Sequence, residues 1–382
     1  MYIKKNNIIT LSFVLLVLFL TVCSGSSVSP VSQKDNNDVY KIAVIAPQFG
    51  PYEALGLSII HGAELAVDMK NKSGGISGKK IELVKVDDGG LASEGLWKAK
   101  NLVSENVLGV IGHLNSDISV PASEVYAMAM IAEISPGSTN PLFTERTPVR
   151  GFVFRTVGRD DKQGEVAADY VLKNNFKKVA VIYNNRSYGQ SLSSEFIKRI
   201  ESSNSDVRVV LSSMYEVGSK DYSKEVNKIK AAVPDIIFFA GEYNDAGKLL
   251  KQLRAAVVNA KFLGGEAVFD QEFIDIAGNA SNGAIVISLP QVSDRNFIES
   301  YKNSFRKELG AYSANSFDAA NILISAIEKV REKNPDKVAK AIGETKDFNG
   351  LTGKITFDSK GDLLDPQFFL YEVKERKFEI IR

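Results

Sequence analysis

Residues 41–46 read KIAVIA, and residues 61–70 read HGAELAVDMK. The first stretch is a short, continuous apolar run, which is typical of a strand buried on both faces of a parallel sheet. The second stretch places Leu65 and Ala66 on one face of a helix, and Gly74 follows the end of that helix. A buried strand followed by an amphipathic helix is the repeating unit of α/β folds.

The same alternation continues along most of the chain. Further strands are predicted at residues 81–86, 107–111, 130–134, 152–156, 179–183, 207–215, 236–240, 262–263 and 284–289, with helices between most of them, as at 91–106, 160–173, 190–203 and 245–256. So many strands exceed what one sheet comfortably holds. We therefore predict an α/β fold with two doubly wound lobes, each a parallel sheet covered by helices on both faces.

Composition excludes several classes of function. The 382 residues carry 47 Lys and Arg against 46 Asp and Glu, so the chain lacks the basic excess of a nucleic-acid-binding protein. One Cys excludes a disulfide framework and a cysteine-rich zinc site, and two His leave little for zinc catalysis. Neither a G-x-S-x-G nucleophile turn nor a G-x-G-x-x-G loop after a strand is present. We predict a protein that is not an enzyme and that needs no cofactor or metal.

The N-terminal segment has the pattern of a signal peptide. Two lysines precede an apolar run at residues 8–22, which is shorter than the roughly 20 residues that a membrane-spanning helix needs. Cys23 ends this run in a context that resembles a bacterial lipobox. We predict that residues 1–22 are removed and that Cys23 is acylated, with a plain signal peptide as the alternative. Residues 23–38, rich in Ser, Asn and Asp, are predicted to be a disordered tether.

Two loops after predicted strands carry groups that suit a small anion. Residues 112–117 read GHLNSD and lead into a helix, and residues 135–141 read SPGSTNP. In open parallel sheets, ligands bind beyond the carboxyl ends of the strands. Hydroxyl donors and free N–H groups at a helix N-terminus favour a carboxylate. The alternative is that Ser116 and Thr139 are ordinary cap and turn residues.

Motifs along nearly the whole mature chain resemble the type I periplasmic binding proteins of the leucine/isoleucine/valine-binding family, which capture substrates for ABC importers. The matching stretches are GGI at 74–76, GHLNS at 112–116, ISP at 134–136, TNP at 139–141, YG at 188–189, FLGGE at 262–266, SANSFDAA at 313–320, FD at 357–358 and KGD at 360–362. The resemblance implies two Rossmann-like lobes joined by a three-crossover hinge, with ligand bound in the cleft between them. Lobe 1 would comprise residues 39–157 and 291–350, and lobe 2 residues 158–290 and 351–382.

The resemblance also implies a set of ligand-binding residues. These are Ser116, Gly137, Ser138, Thr139, Tyr188, Glu242 and Glu266. Ser116, the backbone of Gly137 and Thr139 correspond to the side that holds an α-carboxylate. Tyr188 corresponds to an aromatic that reaches across from lobe 2, and Glu266 to the acid that binds an α-ammonium. A buried zwitterion needs donors at one end and an acid at the other.

Three positions depart from the family pattern. Glu242 stands where relatives often carry a Tyr that faces the ligand, although a shift of one residue would place Tyr243 there. Leu55 stands where an aromatic often covers the side-chain pocket, with Tyr52 as the alternative, and Asp117 stands where a small hydroxyl residue is common. The extra acids favour a ligand with additional positive charge or several hydrogen-bond donors.

Together these features predict an exported, lipid-anchored solute-binding protein of the periplasm or cell surface. It would capture an amino acid or a related small polar molecule and deliver it to an ABC permease, with no nucleic-acid partner. The alternative is a ligand-sensing receptor domain of the same fold that signals to a partner protein without transport.

Overall fold

The computed structural model describes residues 39–381, and Cys23 with the predicted signal peptide and tether lies outside them. The strands are β1 (Tyr40–Ile45), β2 (Ile81–Val86), β3 (Gly109–Gly112), β4 (Ala132–Ser135), β5 (Val153–Arg155), β6 (Lys178–Asn184), β7 (Arg208–Tyr215), β8 (Ile236–Ala240), β9 (Lys261–Gly264), β10 (Ile285–Ser288), β11 (Phe348–Gly350), β12 (Gly353–Ile355), β13 (Phe369–Lys374) and β14 (Lys377–Ile380). The helices are α1 (Glu53–Lys72), α2 (Ala92–Ser104), α3 (Ser116–Met128), α4 (Leu142–Glu145), α5 (Asp160–Lys173), α6 (Ser187–Glu201), α7 (Ser223–Ala232), α8 (Tyr243–Ala255), α9 (Gln271–Ala277), α10 (Arg295–Phe305), α11 (Ser313–Val330) and α12 (Pro335–Gly343).

The first sheet has five parallel strands in the order β2-β1-β3-β4-β5. In β1, Ile42 and Val44 pack into the core on one face, together with residues of α1 and α11. Ala43 and Ile45 pack into the core on the other face, with residues of α2 and α3. Because helices cover both faces, every one of these side chains is buried, as the continuous apolar run predicts. We call this sheet and its helices the first lobe.

The second sheet has seven strands in the order β7-β6-β8-β9-β10-β13-β14. The first five of these are parallel, whereas β13 and β14 are antiparallel to their neighbours. The central strand β8 is completely buried. We call this sheet and its helices the second lobe, and the predicted α/β fold with two parallel-sheet lobes is confirmed.

The chain passes between the two sheets three times. It leaves the first sheet after β5 and returns after β10 to form α11 and α12, which pack on β3 and β4. It then reaches the second sheet again as β13. These three passages are the crossovers that the family resemblance implies.

The last passage lies between β12 and β13. Phe357 packs on Phe154 of β5 with ring centroids 5.2 Å apart, and the N–H of Arg155 donates to the carbonyl of Gly361 over 3.0 Å. The segment up to Gly361 therefore contacts the first lobe. The division into residues 39–157 with 291–350 and 158–290 with 351–382 stays a prediction.

The antiparallel hairpin β13–β14 was not predicted from the sequence. Its two turn residues, Glu375 and Arg376, both have positive φ, at 46° and 63°. Two consecutive positive φ values define the type I′ turn, which usually carries Asn-Gly or Asp-Gly. Glu-Arg gives no such signal.

Among the helices of residues 39–381, none combines the length and apolar character that a bilayer crossing requires.

Candidate functional site

The two sheets share a strand order that creates a binding crevice in each lobe. In the first sheet β1 separates β2 from β3, and in the second sheet β6 separates β7 from β8. At such a switch point the loops beyond the carboxyl ends of adjacent strands diverge and leave space for a ligand. The loops after β3, β4, β6, β8 and β9 contribute to one cavity between the lobes.

This cavity has an empty volume of about 280 Å³. It is lined by Leu55, Leu114, Asn115, Ser116, Gly137, Tyr188, Glu242, Glu266, Ala267 and Tyr312. This figure includes space that is open to solvent.

The structure brings five of the seven predicted site residues to the cavity: Ser116, Gly137, Tyr188, Glu242 and Glu266. Each lies at or just beyond the carboxyl end of a strand, which is why residues distant in sequence meet here. At two of the three departures from the family pattern, Glu242 and Leu55 line the cavity, whereas Tyr243 and Tyr52 are not among its lining residues. Asp117, the third departure, is not among them either.

Ser138 and Thr139 are fully buried but are not among the residues that line the cavity. The hydroxyl of Ser138 contacts that of Ser119 and donates to the carbonyl of Leu114 over 3.3 Å. Thr139 Oγ1 is buried without a hydrogen-bond partner among the described residues. The Ser138 side chain therefore supports the loop after β4 from within the protein.

The first-lobe wall of the cavity presents neutral polar groups. Ser116 is the first residue of α3, and its Oγ accepts a hydrogen bond of 3.4 Å from the N–H of Asn140. The N–H of Gly137 is 3.3 Å from Ser135 Oγ, which makes this a weak hydrogen bond. Hydroxyl and backbone donors at a helix N-terminus attract a negatively charged group.

Glu266 gives the second-lobe wall a carboxylate held by neutral donors. Tyr188 and Gln163 donate to its Oε2, the former over 2.9 Å, and Tyr312 donates to Oε1 over 3.3 Å. Burial raises the pKa of Glu266, while these hydrogen bonds oppose the shift. No cation of the described residues is among the principal groups that shift this pKa. Glu266 is therefore an anchored acid that lacks a counter-ion.

Glu242 is a second acid in the same wall, directly before α8, with 5% of its surface exposed. Asn184, at the end of β6, donates to its Oε2 over 2.7 Å. Burial, with the charge of nearby Asp245 as the next contribution, raises the pKa of Glu242 to about 8, and the hydrogen bond from Asn184 opposes this shift.

A third acid, Asp160, lies behind the cavity in α5. Its carboxylate oxygens are buried without a partner of hydrogen-bonding geometry among residues 39–381. Burial raises the pKa of Asp160 to about 7, although the neighbouring hydroxyls of Thr139 and Ser191 favour the ionised form. The second-lobe side of the cavity is consequently rich in buried acids, whereas the first-lobe side is neutral.

Polar contacts join the lobes beside the cavity. Arg186 Nη1 lies 2.7 Å from Asp117 Oδ2, and Asn140 Nδ2 donates to Ser187 Oγ over 3.0 Å. Asp117 and Asn140 belong to first-lobe segments, and Arg186 and Ser187 begin the second-lobe helix α6. We call these two contacts the interlobe clasp. The clasp and the hydrogen bond from Tyr312 to Glu266 hold the lobes against each other around the cavity.

A buried polar network supports the loop after β3. His113 Nδ1 lies 2.7 Å from Asp88 Oδ2, and His113 Nε2 lies 3.2 Å from the hydroxyl of Tyr126. The N–H of His113 donates to Glu133 Oε1 over 3.1 Å. Both His113 and Asp88 are fully buried. Residues 39–381 contain no group of three or more His, Cys, Asp or Glu suited to a metal ion.

Sequence reasoning missed Gln163, Asn184, Arg186 and Tyr312. Gln163 lies within a predicted helix, where no pattern separates a ligand-supporting amide from a surface residue. Tyr312 directly precedes the SANSFDAA motif, and Arg186 and Asn184 precede the Tyr-Gly motif. Their proximity to matched motifs is the one signal that could have identified them.

Comparisons with known proteins agree with this architecture. The family model "Periplasmic binding protein" matches residues 39–377. A Leu/Ile/Val-binding protein homolog from Brucella abortus is 34% identical over 87% of this chain and 89% of its own length. The leucine-, isoleucine-, valine-, threonine- and alanine-binding protein of Pseudomonas aeruginosa is 31% identical over 88% of this chain and 90% of its own.

A solved structure shows the same fold. The branched-chain amino acid transporter substrate-binding protein LivJ of Streptococcus pneumoniae, in complex with isoleucine, matches with a TM-score of 0.82 and 26% identity. The match covers 90% of this chain and 99% of LivJ. The chain thus belongs to the type I periplasmic binding proteins, in the family of substrate-binding proteins of branched-chain amino acid ABC transporters.

Proposed function

We propose that this protein captures an α-amino acid in the interlobe cavity for delivery to an ABC permease. The observation that carries the proposal is Glu266, a buried carboxylate that neutral donors position and that has no cationic neighbour among its principal partners. An ionised group in such a place is costly unless an opposite charge compensates it. An α-ammonium group supplies that charge and hydrogen-bond donors together.

The opposite wall suits the other end of the same ligand. The hydroxyl of Ser116, the start of α3 and the backbone of Gly137 offer neutral donors and a favourable helix dipole to an α-carboxylate. An amino acid oriented in this way has its carboxylate toward the first lobe and its ammonium toward the second. The names of the relatives support an amino acid as the ligand and a transporter as the partner. Nothing in them favours the sensor alternative.

Hinge closure is the mechanism that this orientation supports. A ligand whose charged ends contact different lobes gains both sets of contacts only when the lobes are together, so binding favours the closed form. The clasp residues Asp117 and Arg186 belong to different lobes and would separate on opening. The closed, loaded form would be the one that the permease recognises.

The test is isothermal titration of protein that has been unfolded, dialysed and refolded to remove any carried-over ligand. We expect at least one amino acid from a complete panel to bind with 1:1 stoichiometry, and the same compound without its α-amino group to bind far more weakly. Absence of binding across the panel, in protein whose refolding is verified by circular dichroism, would refute the proposal.

We also propose export and attachment to the membrane through acylated Cys23, with residues 23–38 as the tether. The basis is the N-terminal sequence pattern alone, in which Cys23 directly follows the apolar run. In a bacterial host, labelled palmitate should enter the wild-type protein, and Cys23→Ala should release it from membranes. If label is not incorporated and Cys23→Ala fractionates like the wild type, the anchor does not exist.

A further inference from the structure

We propose that the cavity selects an amino acid whose side chain donates hydrogen bonds, through a hydroxyl, amide or ammonium group facing Glu242, over an amino acid with a purely aliphatic side chain. This inference rests on the proposed function and specifies its ligand class. It concerns the part of the cavity that Glu266, Ser116 and Gly137 do not occupy.

Glu242 is fixed at the cavity wall with a carboxyl group that can accept a hydrogen bond from the ligand. Among the described residues, Asn184 alone gives its side chain a side-chain hydrogen bond, and Oε2 is the oxygen that accepts it. Asn184 is itself held, because its Oδ1 accepts the N–H of Arg186 over 3.1 Å. The positive charge of Arg186 is paired with Asp117. Arg186 also interacts electrostatically with Glu242, but no ion pair joins Glu242 to a cation among residues 39–381.

Asn115 adds an acceptor in the same cavity. Its Oδ1 is buried and has no hydrogen-bond partner among residues 39–381, and the residue lines the cavity with 8% of its surface exposed. The hydroxyl of Tyr52 is likewise buried without a partner in this part of the chain. A Cβ atom at Gly90 would lie 2.5 Å from Tyr52 Cδ2 and 3.7 Å from Asn115 Oδ1, so these two side chains are neighbours.

Glu242 lines the same cavity as Asn115. Its negative charge is the largest electrostatic influence on the Tyr52 hydroxyl, whose pKa rises mainly because of burial. Glu242 and Asn115 thus give the cavity a polar part, with Tyr52 outside its lining, while Leu55, Leu114 and Ala267 supply its apolar surface. Methyl groups placed against Glu242 and Asn115 would leave the acceptors of these two side chains without a ligand partner. A donor group would satisfy them.

A site built around acceptors discriminates strongly against a ligand of the same shape that lacks the donor, because the buried acceptors then stay unsatisfied. Threonine and valine form such a pair, as do asparagine and leucine. We expect threonine and asparagine each to bind at least about tenfold more tightly than its aliphatic counterpart. Aspartate, which has the shape of asparagine without the donor, should bind most weakly. Ornithine tests whether the preferred donor is cationic.

The experiment measures these ligands by isothermal titration with the refolded wild type, Glu242→Leu and Glu242→Gln. Glu242→Leu should lower or invert the asparagine-to-leucine affinity ratio, and Glu242→Gln should give an intermediate ratio. Asp318→Asn is the matched control, because Asp318 is a buried acid that accepts from the N–H groups of Leu351 and Thr352, away from the cavity. It should leave the ratio unchanged.

Two results overturn the inference and are distinguishable. If the wild type binds leucine and valine at least as tightly as their polar counterparts, or if folded Glu242→Leu keeps the wild-type ratio, the side-chain preference is wrong while amino acid capture stands. If no ligand of either kind binds, amino acid capture fails as well.

Discussion

Glu266→Gln should lower the affinity for ligand without lowering the stability of the empty protein. Gln keeps the size of the side chain and one carbonyl oxygen, which can accept from Tyr188 or from Tyr312, but it removes the negative charge opposite the proposed ammonium. A hydrogen bond to a charged partner contributes roughly 1.5–3 kcal/mol. Since about 1.4 kcal/mol corresponds to a factor of ten in affinity, the dissociation constant should rise by about 10- to 150-fold.

Without ligand, Glu266→Gln should gain stability relative to the wild type as pH rises. Burial raises the pKa of Glu266, so the folded state binds a proton more tightly than the unfolded state does. The resulting stabilisation is present below the unfolded pKa of about 4.3 and is lost as pH rises through the folded pKa. Glu266→Gln cannot ionise, so its melting temperature relative to the wild type should increase between pH 4 and pH 8.

The assay pairs isothermal titration with one bound amino acid at pH 7.5 and thermal unfolding without ligand at pH 4 and pH 8. Asp318→Asn serves again as the control for removing a buried acid outside the cavity, and its dissociation constant should match that of the wild type. A change in affinity of less than threefold for Glu266→Gln would show that the ammonium does not lie at Glu266. Loss of both affinity and stability would indicate misfolding rather than lost charge.

Three further predictions concern the surrounding structure. Arg186→Ala should weaken ligand binding by about 2- to 10-fold, because it removes a partly buried contact with Asp117 that favours closure. Titration of single variants of Arg186 and Asp117 and of the double variant measures the coupling between the two residues. Additive losses of binding free energy would contradict the prediction. Burial raises the pKa of Glu133, so Glu133→Gln should gain melting temperature relative to the wild type as pH rises from 5 to 8; a constant difference between the two proteins would contradict this. Asp362→Ala should cost about 3–5 kcal/mol in urea unfolding, because the fully buried Arg155 loses the carboxylate 2.7 Å from its Nε; a loss below 1 kcal/mol would refute this.

The parallel part of the fold was predictable from the sequence, because a strand that is buried on both faces is a continuous apolar run. In β8, residues 236–240 read IIFFA and are all fully buried, and the helix predicted at 160–173 coincides with α5. Strand order was not predicted, since periodicity describes each element separately. The hairpin β13–β14 was not predictable from the sequence, because Glu375 and Arg376 adopt positive φ although they are not the residue types usual in such turns.

The candidate site was predictable where it follows from strand topology. Ser116, Tyr188 and Glu266 stand at the carboxyl ends of strands, and a switch point brings such positions together whatever lies between them. Gln163 and Tyr312 were not predictable, because their role depends on how helices from two lobes pack around Glu266. Local sequence does not encode that packing.

The two walls of the cavity differ in charge, and in the proposed mechanism this difference would couple ligand recognition to closure of the lobes. The first lobe offers neutral donors, while Glu242 and Glu266 place acids in the second lobe. A zwitterion compensates the acids only while its carboxylate also reaches Ser116, so neither lobe alone obtains the full interaction. Each tenfold preference of the ligand for the closed form over the open form shifts the free-energy difference between the two forms by about 1.4 kcal/mol. The Asp117–Arg186 contact adds to closure without ligand, so weakening it should lower affinity without changing which amino acids are preferred. Altering Glu242, in contrast, should change the preference itself.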